Sequence, residues 1–287
     1  MPHSPSALRA IVLTSCTLIA FAANSLLTRM ALGPGSIDAA SFMTLRLVSG
    51  AVMLLVIMAF FRRTPIATLQ STQGKWAGAL MLFLYAVTFS FSYLQLAAGT
   101  GALILFGSVQ VTMILAALKQ GEKPQPLEWG GLFLALLGLI YLVSPGLAAP
   151  PIVGSGLMVM AGIAWGFYSL LGRRAKEPVA YTTANFVRAV PFAIGVSLMS
   201  LSKMHLTLTG VTLALLSGAL ASGVGYAIWY AALKGLTATR AATVQLAVPV
   251  IASVGGIIFL QEALTVRLAL ASLMILGGIG LSVVSHR

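Results

Sequence analysis

Aromatic rings that carry a polar group are the side chains of this sequence best suited to hold a small apolar molecule. Trp165 and Tyr168 lie three residues apart in the stretch WGFYSLLGRR, and Tyr226 and Trp229 repeat that spacing later in the chain. A spacing of three places both rings on one face of a helix. Such rings offer a stacking surface and a hydrogen bond to a ligand. For Trp229, which shortly precedes Lys234, a place in the aromatic belt at a membrane surface is the alternative.

Polar side chains recur at helical spacing in two apolar stretches. The first set is Thr14, Thr17, Phe21, Asn24 and Thr28, and the second is Tyr85, Thr88, Ser92 and Gln95. Because polar groups in lipid must find partners, each stripe marks a helix face turned away from the acyl chains. Serine and threonine also serve as contacts between packed helices. We take Phe21, Asn24, Tyr85 and Ser92 as candidate substrate contacts.

Two glutamines are expected near the middle of their helices. Gln110 follows Phe106 by one turn, and Gln245 precedes Pro249 by four residues. A neutral amide that both donates and accepts hydrogen bonds suits a zwitterion, or the two amides bond to each other. Pro249 removes one intrahelical donor, which predicts a bend in its helix.

Two arginines, Arg46 and Arg188, fall within apolar stretches at related places. They either attract a substrate carboxylate or lock a closed gate, or they snorkel and bond to carbonyls at helix ends. The acidic residues all fall in loops or at helix ends: Asp38, Glu122, Glu128, Glu177 and Glu262. Proton-driven export of cationic drugs usually needs a carboxylate within the membrane, so this composition argues against it.

The composition is that of a membrane protein. Hydrophobic residues make up 59% of the chain and charged residues 8%, and the mean hydropathy is +1.00. The net charge of +12 is spread thinly between apolar runs, so no nucleic-acid partner is expected. Cys16 is the single cysteine, and Ser155 has no histidine in the membrane to activate it. The sequence therefore predicts no catalytic residue, no metal site and no cofactor.

The chain contains ten apolar blocks long enough to cross a bilayer. They run approximately over 8–27, 39–61, 76–96, 100–118, 127–143, 153–172, 180–201, 210–233, 240–260 and 268–285. Lysine and arginine concentrate in alternate loops, and only Arg29, Lys203 and Arg267 are expected on the opposite side. The positive-inside rule then places both termini in the cytoplasm.

The second half of the chain repeats the first. The run Ser25-Leu-Leu-Thr-Arg29 returns as Ser169-Leu-Leu-Gly-Arg173, and Gly121-Glu122 returns as Gln261-Glu262. A repeat of five helices is odd in number, so the second copy enters the membrane from the other side. The predicted fold is an all-α membrane protein of ten transmembrane helices, arranged as two inverted five-helix repeats, 1–148 and 149–287, around a central cavity.

The repeat ends, together with Gly99-Thr-Gly-Ala102 and Ala238-Thr-Arg-Ala241 before helices 4 and 9 and Gln-Glu after helix 9, resemble the drug/metabolite transporter superfamily. Within it, the EamA-type ten-helix exporters are most similar. The Trp-x-x-Tyr of helix 6 resembles that of bacterial aromatic amino acid exporters. The resemblance implies a cavity walled by helices 1–4 and 6–9, with helices 5 and 10 peripheral.

The expected function is export of small neutral metabolites across the bacterial inner membrane by alternating access. Amino acids, including aromatic or large apolar ones, are the favoured substrates. An exchanger of nucleotide sugars or phosphorylated metabolites, or a drug exporter of the same superfamily, is the alternative. The expected partners are a small-molecule substrate and the lipid bilayer, and the sequence leaves monomer and homodimer open.

Overall fold

The computed structural model describes residues 7–62, 76–119, 126–146, 149–173, 175, 177–233, 245 and 247–284. In chain order the helices are α1 (Ala7–Leu32), α2 (Ala39–Val56), α3 (Trp76–Ser92), α4 (Ala98–Lys119), α5 (Pro126–Val143), α6 (Ile152–Arg173), α7 (Pro178–Met199), α8 (208–233), α9 (Ala247–Leu260) and α10 (Val266–Val284). The part of the chain described here contains no strand beyond an isolated bridge between Ile37 and Leu206. The expected all-helical class is therefore confirmed.

Two helices contain π-helical turns. α2 continues as a π-helix over Ile57–Arg62. α8 is α-helical over Leu208–Leu216, π-helical over Ser217–Val224 and α-helical again over Gly225–Leu233. π-Helical turns are rare and often lie at functional sites.

Six helical stretches are long and apolar enough to cross a membrane. They are Val12–Leu32, Ala39–Phe60, Ala98–Ala116, Ile152–Gly172, Pro178–Met199 and Leu208–Trp229. Four shorter apolar helices accompany them: Trp76–Ser92, Trp129–Val143, Ala247–Leu260 and Val266–Gly278. Large apolar side chains such as Phe133, Phe259 and Leu273 are exposed on the outside of the bundle, where acyl chains would cover them.

The helices pack in pairs that correspond between the two halves. α3 packs on α6 as α8 packs on α1, α4 packs on α6 as α9 packs on α1, and α2 packs on α8 as α7 packs on α3. α2 also packs on α7, and α4 on α9. α5 and α10 pack mainly on each other, with Gly278 against the Gly131 carbonyl and the Ala135 amide. The remaining helices thus surround the centre of the bundle.

The loops after α1 and α7 meet at one end of the bundle, which we call the Arg29 end. Asp38 caps α2 by accepting from Ser41 N at 2.9 Å, and its other oxygen accepts from His205 N at 3.1 Å. Thr207 caps α8 by accepting from Gly210 N at 3.1 Å, and it donates to Ser36 O at 2.7 Å. The same hydrogen bonds that begin these helices therefore join the two loops.

Candidate functional site

Aromatic side chains from α1, α3, α6 and α8 meet at the centre of the bundle. The Trp165 ring centroid lies 4.9 Å from that of Tyr85, 5.1 Å from that of Tyr226 and 6.3 Å from that of Phe21. Phe21 in turn lies 5.7 Å from Tyr226 and 5.9 Å from Trp229. Most of these pairs are tilted or edge-on, the arrangements that aromatic rings prefer.

These rings enclose a cavity of about 20 Å³. Its lining consists of Phe21, Asn24, Ser25, Tyr85, Phe89, Leu105, Phe106, Trp165 and Tyr226. A cavity of this size holds about one water molecule. An amino acid does not fit, so the rings must separate when a substrate of that size binds.

Two glycines fix the position of Trp165. A Cβ on Gly162 would lie 2.7 Å from the Leu105 carbonyl oxygen, and one on Gly166 would lie 2.9 Å from Thr112 Cβ. Glycines four residues apart let helices approach closely in a membrane. Because Trp165 lies between them on α6, this close packing on α4 sets its depth in the bundle.

Polar side chains form a hydrogen-bonded network along one side of the cavity. Ser217 donates to Asn24 Oδ1 at 2.6 Å, and Asn24 Nδ2 donates to Tyr85 Oη at 3.3 Å. Arg46 Nη2 donates to the same Tyr85 oxygen at 3.0 Å, and Arg46 Nε donates to Ser222 Oγ at 3.3 Å. The network therefore joins α1, α2, α3 and α8.

Arg46 is buried at the end of this network, with 2% of its surface exposed. Its guanidinium carbon lies 4.8 Å from the Phe89 ring centroid and 5.2 Å from that of Tyr85. The buried Nη1 has no hydrogen-bond partner among the described residues. The snorkelling interpretation is therefore wrong for Arg46, because its donors meet side chains inside the bundle. Arg188 on α7 is half-buried, so the two arginines are not equivalent.

α8 approaches the backbone of α2 where Arg46 lies. A Cβ on Gly218 would collide with the Arg46 carbonyl oxygen and with Ser49 Oγ. Glycine at this position lets the π-helical turns of α8 bring Ser217 and Ser222 within reach of the network.

The predicted contacts outside the cavity lining occupy several places. Ser92 donates to the Gly154 carbonyl at 2.7 Å. Gln110 is buried on α4, and the Tyr168 ring lies 5.4 Å from that of Trp165 while its hydroxyl donates to Thr182 at 3.3 Å. Gln245 is half-buried and described without its neighbours, so the expected bend at Pro249 concerns a helix whose preceding residues lie outside the described ranges.

Some residues of the site were not among the sequence candidates. Ser25, Phe89 and Leu105 line the cavity, and Ser217 and Ser222 complete the network. Phe89 follows Tyr85 by one helical turn, which is the signal that would have found it. The two serines gave no such signal, since they are spaced for a π-helix.

An ion pair closes the Arg29 end across the two halves. Arg29 Nη1 donates to the Tyr93 carbonyl at 3.0 Å, and Arg29 Nε lies 3.5 Å from Glu262 Oε1. The Glu262 carboxylate also accepts from Ala98 N at 2.9 Å, at the first residue of α4. Gln261, with φ 55°, turns the chain after α9 so that Glu262 faces this helix. Nearby, Gly154 N donates to Gln95 Oε1 at 3.2 Å.

The described residues include no group of three or more His, Cys, Asp or Glu side chains that could hold a metal ion. A polar and aromatic site inside a multi-pass bundle of apolar helices defines a membrane transporter for a small molecule.

Comparison with known proteins identifies the family. The model of the EamA-like transporter family matches residues 152–284. The "Uncharacterized protein PA1977" of Pseudomonas aeruginosa is 50% identical over 273 residues, which cover 95% of this chain and 94% of that protein. The chain belongs to the EamA-like transporter family, within the drug/metabolite transporter superfamily, and is a transporter and not an enzyme.

More distant similarities agree with this assignment. A "Probable amino-acid metabolite efflux pump" of Salmonella typhimurium is 24% identical over 205 residues, covering 66% of this chain and 69% of that protein. A crystal structure of a protein that is 18% identical aligns with a TM-score of 0.64 over 95% of this chain and 99% of that one. At this identity the alignment shows a shared fold.

Proposed function

We propose that this protein exports amino acids, with aromatic and large apolar ones preferred, from a site formed by the central cavity. The observation that carries the proposal is the convergence of Phe21, Tyr85, Trp165 and Tyr226 beside a buried hydrogen-bonded network. The rings provide apolar surface for a side chain, and the network provides donors for a polar head group. The similarity to a protein named as an amino-acid metabolite efflux pump supports this substrate class.

Further predicted residues surround this site. Tyr168 and Trp229 contact Trp165 and Phe21 respectively, and in the proposal they hold those rings in place. Gln110 and Gln245 serve as amide contacts for a zwitterion once the cavity has opened. Ser92, which is bonded to Gly154, stabilises the packing of α3 on α6.

Transport in this proposal proceeds by alternating access of two inverted repeats, 1–148 and 149–287. The corresponding helix pairs of the two halves support this arrangement, since α3 on α6 and α1 on α8 exchange under such a symmetry. Rocking of one repeat against the other opens the central site to each side in turn.

We further propose that the protein lies in the inner membrane with cytoplasmic termini. The clustering of lysine and arginine in alternate loops supports this orientation. The Arg29 end then faces away from the cytoplasm. Because Arg29, Glu262 and the loop bridge close that end, the conformation described here is closed to the outside.

The test is counterflow in proteoliposomes that contain the purified protein. Vesicles loaded with unlabelled phenylalanine, leucine or threonine should accumulate the corresponding labelled amino acid transiently. Trp165→Ala should reduce this uptake at least about tenfold, because it removes the ring at the centre of the cluster. Trp129→Ala is the matched control, since Trp129 is 50% exposed on α5. Absence of counterflow for every amino acid tested would refute the proposal.

A further inference from the structure

The Arg46 guanidinium is a permanent positive charge held inside the bundle. Arginine stays protonated in proteins, so burial does not neutralise it. Among the side chains that the structure describes, the only ion pair joins Arg29 to Glu262, so no described carboxylate pairs with Arg46. Two of its nitrogens bond to hydroxyl groups, and the buried Nη1 has no partner in the described part of the chain.

The ring of Phe89 compensates this charge only in part. A cation above an aromatic face gains a modest electrostatic attraction, but it gains no acceptor for its hydrogens. A buried donor without a partner is costly, and a buried charge without a counter-charge is more so. Arg46 therefore has the chemistry of half of an ion pair, and its partner must come from outside the described residues.

The cavity lies on the other side of the groups that touch Arg46. Tyr85 accepts from Arg46, Phe89 stacks against it, and both line the cavity. A phenol oxygen that accepts hydrogen bonds still carries its own hydrogen, so Tyr85 can also donate to a ligand. Once the rings separate, Arg46 and Tyr85 present donors to the same volume.

Resting on the proposed function, we propose that Arg46 binds the substrate carboxylate through Nη1, with the Tyr85 hydroxyl as a second donor. The lining of the cavity contains no acidic side chain in the described residues. The substrate ammonium group therefore meets only aromatic faces and amide or hydroxyl oxygens. It follows that the carboxylate is required for binding and the amino group is dispensable.

The chemistry separates three analogues of one substrate. Phenylalanine carries both charged groups, 3-phenylpropionate carries only the carboxylate, and 2-phenylethylamine carries only the ammonium. Binding to the purified full-length protein in nanodiscs is measured by competition against labelled phenylalanine and directly by calorimetry. The acid should bind within about tenfold of phenylalanine, and the amine at least about tenfold more weakly than the acid. Equal binding of acid and amine would overturn the proposal without any variant.

Variants then test the residue itself. Arg46→Gln should weaken binding of 3-phenylpropionate at least about tenfold and leave the amine unchanged, while Arg46→Lys should retain part of the affinity because it keeps the charge. Arg267→Gln is the matched control, since Arg267 contacts Ser144 at the Arg29 end. Unchanged binding of the acid to folded Arg46→Gln would overturn the assignment.

The outcomes also separate this proposal from the broader one. If the wild type binds 3-phenylpropionate through Arg46 but shows no counterflow of any amino acid, the carboxylate site stands and amino acid export fails. If amino acids are transported and the amine competes as well as the acid, export stands and the carboxylate site fails.

Discussion

Replacing Glu262 with alanine should open the Arg29 end of the bundle. The carboxylate accepts from Ala98 N at 2.9 Å and lies 3.5 Å from Arg29 Nε, so it ties the loop after α9 to α1 and to the start of α4. In the proposed cycle these contacts exist only while this end is closed. Their loss should therefore favour the conformation that is open at this end.

The size of the effect follows from the burial of the pair. The Arg29 and Glu262 side chains are 27% and 15% exposed, so solvent screens the pair less than it would a surface ion pair. A hydrogen bond to a charged group contributes about 1.5–3 kcal/mol. If the contact is lost fully on opening, Glu262→Ala should raise the ratio of open to closed protein about 10- to 150-fold.

A cysteine in the cavity reports this opening. Cys16 is exposed and is first replaced by serine, and Ser25→Cys then places a single thiol in the cavity lining. Labelling by a membrane-impermeant maleimide is followed in right-side-out and inside-out vesicles. Glu262→Ala should accelerate labelling in right-side-out vesicles by about the factor of the conformational shift.

The control is Glu177→Ala, because Glu177 is exposed before α7 and makes no side-chain cap there. It should leave the labelling rate unchanged. A Glu262→Ala protein that labels no faster than Glu177→Ala from either side would refute the assignment of this ion pair to a gate. Acceleration only in inside-out vesicles would instead reverse the proposed orientation.

Three further substitutions follow from the packing and the network. Gly162→Val should lower stability by about 1–3 kcal/mol through overpacking against α4, whereas Gly156→Val, with open space around it, should leave the melting temperature unchanged. Asn24→Ala should destabilise the protein by about 1–3 kcal/mol, since it leaves the Ser217 hydroxyl without its acceptor; an unchanged melting temperature would contradict the network. Asn24→Asp should weaken 3-phenylpropionate binding, because it adds a negative charge beside Tyr85; tighter binding of the acid in a titration would count against a carboxylate site.

The helical architecture and part of the site could be predicted from the sequence because both depend on periodicity. Phe21 and Asn24 share a helix face at a spacing of three, and the structure places both in the cavity lining. Trp165 was recognisable as too deep for an interfacial belt, and it lies at the centre of the aromatic cluster.

The remainder of the site depends on departures from that periodicity. Ser217 and Ser222 are five residues apart, which places them about 140° apart on an α-helix. The π-helical turns of α8 bring both into one network, and a rule based on α-helical period does not find them.

The contacts of the charged residues required the tertiary structure. Arg29 was expected only as an exception to the charge bias, yet it pairs with Glu262 from the other end of the sequence. For Arg46, the sequence left substrate binding, gating and snorkelling open. Which way its side chain points depends on how α2 packs against α3 and α8.

The central claim is that an amino acid binds between the aromatic rings with its carboxylate at Arg46. A structure of the protein with saturating phenylalanine, determined by electron cryo-microscopy, tests it most directly. The account predicts that Phe21, Trp165 and Tyr226 have moved apart, with ligand density between them and the carboxylate within hydrogen-bond distance of Arg46 Nη1. Ligand density elsewhere in the bundle, with the ring cluster still closed, would contradict it.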